Sequence, residues 1–130
     1  MIKIGIVDDH AVVREGLKAL FSGFVEFRVA GEASSGREAI DLVRTTELDV
    51  LLMDLSMPGQ SGIEAAAELA DAWPDDLPFP ALVFATAYDQ YAVQAFEAQA
   101  VDYLLKPIQA DRLARTVAKV QGLLAQRVSA

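Results

Sequence analysis

Three carboxylates and one ammonium stand out by position. Asp54 directly follows the apolar run Val50-Leu51-Leu52-Met53, Asp8 and Asp9 follow the run Ile2 to Val7, and Lys106-Pro107 follows Val101 to Leu105. If those runs are parallel strands of one sheet, the four groups meet at its carboxyl-terminal edge, where open α/β sheets place their sites. A carboxylate attacks a phosphoryl group only when the repulsion between them is offset, and Mg²⁺ held by several oxygen ligands does that. Asp8 and Asp9 can hold the cation, with Asp54 as nucleophile and third carboxylate ligand. The backbone carbonyl of Ser56 completes the protein side. Lys106 offers the phosphoryl oxygens a fixed positive charge, and the Thr86 hydroxyl offers them a donor. Phosphoryl transfer depends mostly on positioning and charge neutralisation, so this short set is sufficient.

The elements that must position these groups alternate along the chain. Ile2 to Val7, Phe27 to Ala33, Val50 to Met53, Ala81 to Ala85 and Val101 to Leu105 have the length and Ile/Val/Leu content of strands. Between them lie helical patterns. His10 to Ser22 places Val13, Leu17, Leu20 and Phe21 at helical spacing, and Gly23 stops it. Ser35-Gly36-Arg37-Glu38 and Ser61-Gly62-Ile63-Glu64 have the Ser-x-x-Glu form of capping boxes. The first opens a helix facing inward through Ala39, Ile40 and Val43; the second opens one through Ile63, Ala66, Ala67, Ala70 and Trp73. A fourth helix is expected from about Asp89 to Gln99 with Val93 and Phe96 inward, and a last from about Gln109 to Gln126 carrying Leu113, Val117, Val120 and Leu124. Five strands alternating with five helices predict an α/β fold with a five-stranded, all-parallel, doubly wound sheet.

Composition narrows the class. The 130 residues fit one domain, and 53 % hydrophobic with 23 % charged residues is a globular balance. Eleven basic against nineteen acidic residues give a net charge of -8 without a Lys/Arg cluster, which argues against nucleic acid and anionic membrane as partners. The absence of cysteine removes disulfides and thiolate metal sites. Met1 to Val7 is too short for a signal-peptide core, and no apolar run reaches the roughly 20 residues that span a bilayer. A cytoplasmic location is expected.

The ordered set Val7-Asp8-Asp9, Met53-Asp54-Leu55-Ser56-Met57-Pro58-Gly59, Thr86-Ala87 and Tyr103-Leu104-Leu105-Lys106-Pro107 resembles the receiver domain of two-component response regulators. The resemblance covers essentially the whole chain and implies a flavodoxin-like, CheY-like (βα)5 fold. It implies Asp54 as phosphoacceptor, Asp8, Asp9, Asp54 and the Ser56 carbonyl as Mg²⁺ ligands, and Thr86 with Lys106 as the phosphoryl-sensing pair. Tyr103 matches the aromatic switch, and the bond before the proline matching Pro107 is cis in the family, which would aim Lys106 at the site. A sensor histidine kinase is the implied partner. The chain would be no enzyme beyond catalysing its own phosphorylation and dephosphorylation, and no output domain follows residues 1–130. Phosphorylation would alter the surface of the fourth helix, fifth strand and last helix. There Gln94, Glu97, Asp102, Arg112, Arg115 and Lys119 form a mixed-charge candidate for a phosphorylation-dependent homodimer contact. Ser56 and Tyr88, two positions beyond Asp54 and Thr86, match residues flanking the path of the hydrolytic water, and a bulky Tyr88 would slow that water.

By Val7-Asp8-Asp9-His10, Arg14-Glu15-Gly16-Leu17 and Gly31-Glu32-Ala33-Ser34-Ser35-Gly36-Arg37-Glu38-Ala39, Ile2 to about Ala67 resembles receivers that precede LuxR-type helix-turn-helix domains, whereas by Ala87-Tyr88-Asp89-Gln90-Tyr91-Ala92, Ala95-Phe96-Glu97 and Ala100 to Pro107 the chain from about Ala81 resembles receivers of the LytTR type. Natural divergence, recombination and an engineered chimera joined near the loop from Asp75 to Pro80 all accommodate this seam. An inert or engineered receiver-fold scaffold is thus an alternative function. A Mg²⁺-dependent aspartyl phosphohydrolase is another, although the haloacid dehalogenase type carries Asp-x-Asp where this chain has adjacent Asp8-Asp9. Structural readings stand beside the chemical ones. Asp8-Asp9 also suits a helix-capping turn, Thr86 an ordinary strand end, and Tyr103 a half-buried strand aromatic. His10 reads as an exposed first-turn residue, because hard oxygen ligands suit Mg²⁺.

Overall fold

The strands β3 (Val50–Asp54) and β4 (Ala81–Thr86) are buried at every position. Their unbroken apolar runs demand this, since a central parallel strand is covered by neighbours on both edges and helices on both faces. In the computed structural model the described residues are 1–74, 76–87 and 100–129, with the side chains of 128 and 129 excepted. Around β3 and β4 the chain runs β1 (Ile2–Val7), α1 (Ala11–Phe21), β2 (Phe27–Ala33), α2 (Gly36–Thr45), α3 (Gly62–Ala72), β5 (Asp102–Leu105) and a C-terminal helix (Ala110–Ser129). The fourth helix expected from about Asp89 to Gln99 lies outside the described residues.

All strand pairs are parallel, in the order β2-β1-β3-β4-β5. Because side chains alternate across a strand, the sheet divides the core in two. Leu51, Met53 and Phe84 face one cluster with Ala39, Ile40, Val43 and Leu69 of α2 and α3. Val50, Leu52, Val83 and Leu104 face the other, with Leu17 and Phe21 of α1 and Leu113, Val117 and Val120 of the C-terminal helix.

Two helix details differ from the sequence reading. At α2 the Ser35 side chain accepts from the Glu38 amide at 3.1 Å, but Glu38 reaches Ser34 rather than closing a box with Ser35. The extra hydroxyl of Ser34, 2.8 Å from Glu38 Oε2, competes successfully for that carboxylate. At α3 the capping box of Ser61 and Glu64 is complete. Its buried face, however, is Ala65, Ala66 and Leu69, while Ala67 and Ala70 are exposed. Glu64, Glu68 and Asp71 mark the outward side, but the alanines between them are too small to show which of them lie inward.

Asp102 also departs from expectation. Instead of lying on an open charged surface it is 7 % exposed and bound within the chain. Arg112 donates Nη1 to Oδ2 at 3.0 Å and Nη2 to Oδ1 at 2.8 Å, and Thr116 Oγ1 donates to Oδ2 at 2.6 Å. Burial opposes the Asp102 charge, but Arg112, Thr116 and the Tyr103 amide outweigh it and hold the carboxyl well below the usual range. A depressed acid contributes stability above its unfolded pKa of about 4, and the contribution fades as pH falls toward the folded value. Arg112→Met is therefore expected to lower the unfolding free energy at pH 7 by about 2–3 kcal/mol, the scale of hydrogen bonds to a charged group. Denaturant titrations should show the deficit shrinking below about pH 4.

Candidate functional site

The strand order places β1 beside β3, the point at which the sheet's winding reverses and a crevice opens. Register then sets the neighbours. Val7 pairs with Met53, so Asp8 and Asp54 emerge side by side. Asp54 pairs with Ala85, and Thr86 pairs with Leu105, so Thr86 and Lys106 follow on the next two strands. The Lys106 amide donates to the Thr86 carbonyl at 2.8 Å, and the Lys106–Pro107 peptide bond is cis.

The side chains converge accordingly. Lys106 Nζ lies 2.6 Å from Asp8 Oδ2 and 3.3 Å from Asp54 Oδ1. Asp8, Asp54 and Thr86 are almost wholly buried, at 1 %, 3 % and 0 % exposure. Burial pushes the Asp54 carboxyl up, assisted by the Asp8 charge and opposed by Lys106 and the Ser56 amide. Burial works against the Lys106 charge too, yet the hydrogen bond to Asp8 and the charge of Asp54 prevail and raise it. The Lys106 ammonium thus meets two carboxylates, Asp8 and Asp54, with the side chain of Asp9 close by on the same loop, so acids outnumber the lysine.

These residues fit a hard divalent cation. Asp9 Oδ1 is buried and makes no hydrogen bond, and Asp8 Oδ1 is turned away from Lys106. Carboxylate oxygens are the donors Mg²⁺ favours. His10 is the residue whose placement differs from expectation. It is exposed, but it caps α1 rather than sitting in its first turn, and its Nδ1 lies 3.2 Å from both Asp8 Oδ1 and Asp9 Oδ1. The His10 amide donates to Asp8 Oδ1 at 2.9 Å, which turns the residue back toward the acidic pair.

Ser56 is exposed beyond Asp54, and Tyr103 is half-buried against the α2/α3 cluster. Tyr88, Gln94 and Glu97 lie outside the described residues. An apolar groove lined by Ala70, Trp73, Leu77 and Leu123 lies at the amino-terminal end of β4, away from these groups.

A glycine missed by sequence reasoning beyond its place in a capping box sets the closeness of α3 to the site. A Cβ on Gly62 would stand 2.5 Å from the Asp54 carbonyl oxygen, while its amide donates to the Leu55 carbonyl at 3.1 Å. Gly62→Ala must shift backbone at Asp54, at an expected cost of about 1–3 kcal/mol in a melting experiment. Asp54→Asn should act oppositely. An acid with raised folded pKa contributes stability below its unfolded pKa and loses it as pH rises through the folded one. Replacing it is expected to raise the melting temperature at pH 7, with the gain vanishing as pH approaches 4.

Comparison with known proteins identifies the family. Residues 4–118 match the family described as response regulator receiver domain. The transcriptional regulatory protein BtsR of Salmonella typhi is 42 % identical over 121 residues, covering 93 % of this chain and 48 % of the relative. The chain therefore spans about half the length of the curated relatives it matches. The REC domain of AraT, a response regulator from Geobacillus stearothermophilus, is 37 % identical with a TM-score of 0.83, covering 97 % of each chain. The response regulator TrrA of Thermotoga maritima, solved in complex with Mg²⁺-BeF, is 29 % identical with a TM-score of 0.78, covering 92 % of this chain and 99 % of that one. The family match across nearly the whole fold, on a sheet that gathers buried acids around one lysine, makes this chain a member of the response regulator receiver domains of two-component systems.

Proposed function

We propose that Asp54 is the phosphoacceptor of this receiver and that Mg²⁺ is its cofactor. The observation that carries the reading is the Lys106 ammonium reaching both Asp8 and Asp54, beside a buried Asp9 oxygen that no hydrogen bond satisfies. Asp8, Asp9, Asp54 and the Ser56 carbonyl would hold the cation, which supplies charge neutralisation for the incoming phosphoryl group. The complex of TrrA with Mg²⁺-BeF supports this assignment by similarity.

A phosphohistidine of a sensor histidine kinase, or a small phosphodonor, delivers the group. An Asp54 carboxylate oxygen attacks phosphorus, the bond from phosphorus to the donor breaks, and the donor leaves with its electron pair. Lys106 and the buried Thr86 hydroxyl bind the new oxygens. Hydrolysis resets the switch when water attacks phosphorus and the Asp54 carboxylate departs. The added charge of about -1.5 to -2 gives Thr86 and Lys106 something to bind in one state only, the differential interaction a population shift requires. Tyr103, on the strand that leads into Lys106, is the residue we assign as the switch aromatic.

Residues 1–130 act in this reading as one receiver unit in the cytoplasm. Among the described residues no helix is long and apolar enough to cross a membrane. A phosphorylation-dependent homodimer through β5 and the C-terminal helix would draw on exposed Leu105 and Arg115, because Asp102, Arg112 and Lys119 are already paired internally.

Intact-protein mass after incubation with acetyl phosphate decides the central assignment. The expected result is one added phosphoryl group that requires both Mg²⁺ and Asp54, absent from a metal-free control and from Asp54→Asn. No addition to folded protein, together with no binding of beryllofluoride, would leave an inert scaffold and overturn the reading.

A further inference from the structure

Asp9 poses a positioning problem. Its Oδ1 has no hydrogen bond, and the one side-chain contact it makes, with His10 Nδ1 at 3.2 Å, comes from an exposed ring, so the backbone that carries Asp9 is the firmer source of its aim. That backbone is gripped from both sides. The Asp8 amide donates to the Ala33 carbonyl of β2 at 3.1 Å, and the Asp8 carbonyl accepts from Arg14 Nη1 at 2.6 Å. The second bond holds the peptide plane joining Asp8 to Asp9, and with it the direction in which Asp9 leaves the chain.

The guanidinium is itself held. Arg14 Nε donates to Glu32 Oε1 at 2.9 Å, and the other Glu32 oxygen accepts from Lys18 at 2.7 Å. Lys18 and then Arg14, by their hydrogen bonds, hold the Glu32 carboxyl below its ordinary value. Glu32 pairs with Ile6 in the sheet, two residues before Asp8, so clamp and clamped segment share one register. Glu15 meets Lys18 at 2.6 Å, and Arg14, Lys18, Glu15 and Glu32 together carry no net charge. The arrangement thus restrains the acidic pair without cancelling the negative charge that attracts a cation.

We propose that Arg14 is a positioning residue for the cation site, acting through the Asp8 carbonyl to aim Asp9. This rests on the assignment of Asp8 and Asp9 as cation ligands. Groups that orient metal ligands from behind typically alter metal affinity by about 10–100-fold when removed. Charge gives the opposite sign, because deleting a cation beside an acidic pair strengthens its attraction for a divalent ion.

The test is Mn²⁺ titration followed by electron paramagnetic resonance of the free ion, with Mg²⁺ competition and a thermal melt of each variant. Arg14→Met is expected to weaken Mn²⁺ binding by about tenfold. Arg14→Lys keeps the charge but replaces a rigid planar fork, whose Nε and Nη1 reach Glu32 and Asp8 in fixed directions, with a point-like ammonium, so weakening of several-fold is expected. Lys18→Met removes one positive charge from the same ion network but leaves the Arg14 bonds to Glu32 and Asp8 in place, and should bind Mn²⁺ as well as the parent or better. Equal affinity in a folded Arg14→Met, or equal weakening in Lys18→Met, would overturn the proposal and leave an ordinary surface ion pair. If the methionine variant does not fold, Arg14→Lys decides, with unchanged affinity counting against positioning. A parent protein that binds no Mn²⁺ would instead defeat the cation-site assignment on which the proposal stands.

Discussion

One lysine answers several carboxylates, and much of the structure follows from that imbalance. Like charges cannot be buried together without compensation, and the Lys106 ammonium reaches only Asp8 and Asp54. The sheet has to bring strand ends far apart in sequence to one edge so that Asp8 and Lys106, 98 positions apart, can touch at all. Asp9 keeps one buried oxygen that no hydrogen bond satisfies. An acidic site left short of positive charge, with an ordered scaffold around it, is in a state that a divalent cation or a phosphoryl transfer can change. A site balanced by its own residues would have little to respond to.

The scaffold divides the labour between strands and helices. β1, β3 and β4 are packed into two cores and supply fixed positions for Asp8, Asp54 and Thr86. Helices then approach the same edge through few, specific contacts: α1 by way of Arg14, and α3 through the absence of a side chain at Gly62. The site is therefore built on rigid elements and adjusted by neighbours that never contact the reacting atoms.

How much of this was readable in the sequence depended on the kind of signal. Asp54, Asp8, Thr86 and Lys106 stand at the ends of strong apolar runs, and burial of those runs leaves few ways to arrange them. The strand boundaries and the inward face of the C-terminal helix followed from the same periodicity. The face of α3 was misjudged because five alanines surround the charged stripe of Glu64, Glu68 and Asp71, and packing rather than side-chain type settled which of them lie inward. His10 was read as an exposed first-turn residue; it is exposed, but sequence carries no record of a ring turned back onto its own strand end. Asp102 looked like a surface charge, because its partner Arg112 arrives only when the C-terminal helix packs on β5. The clamp of Arg14 was invisible for a related reason: its acceptor is a backbone carbonyl, which every residue possesses.

The buried pair of Asp102 and Arg112 has a further meaning at the sheet's rim. β5 has four residues and pairs with β4 along one side, too short a strand for backbone bonds alone to enforce a unique alignment. Sliding it by one residue would swing every side chain to the opposite face. Asp102 would then leave Arg112 and Thr116 and enter the apolar cluster against which Tyr103 packs. The charge buried at this edge acts as a proofreading device, penalising misaligned assembly and discouraging a strand from another molecule from replacing β5.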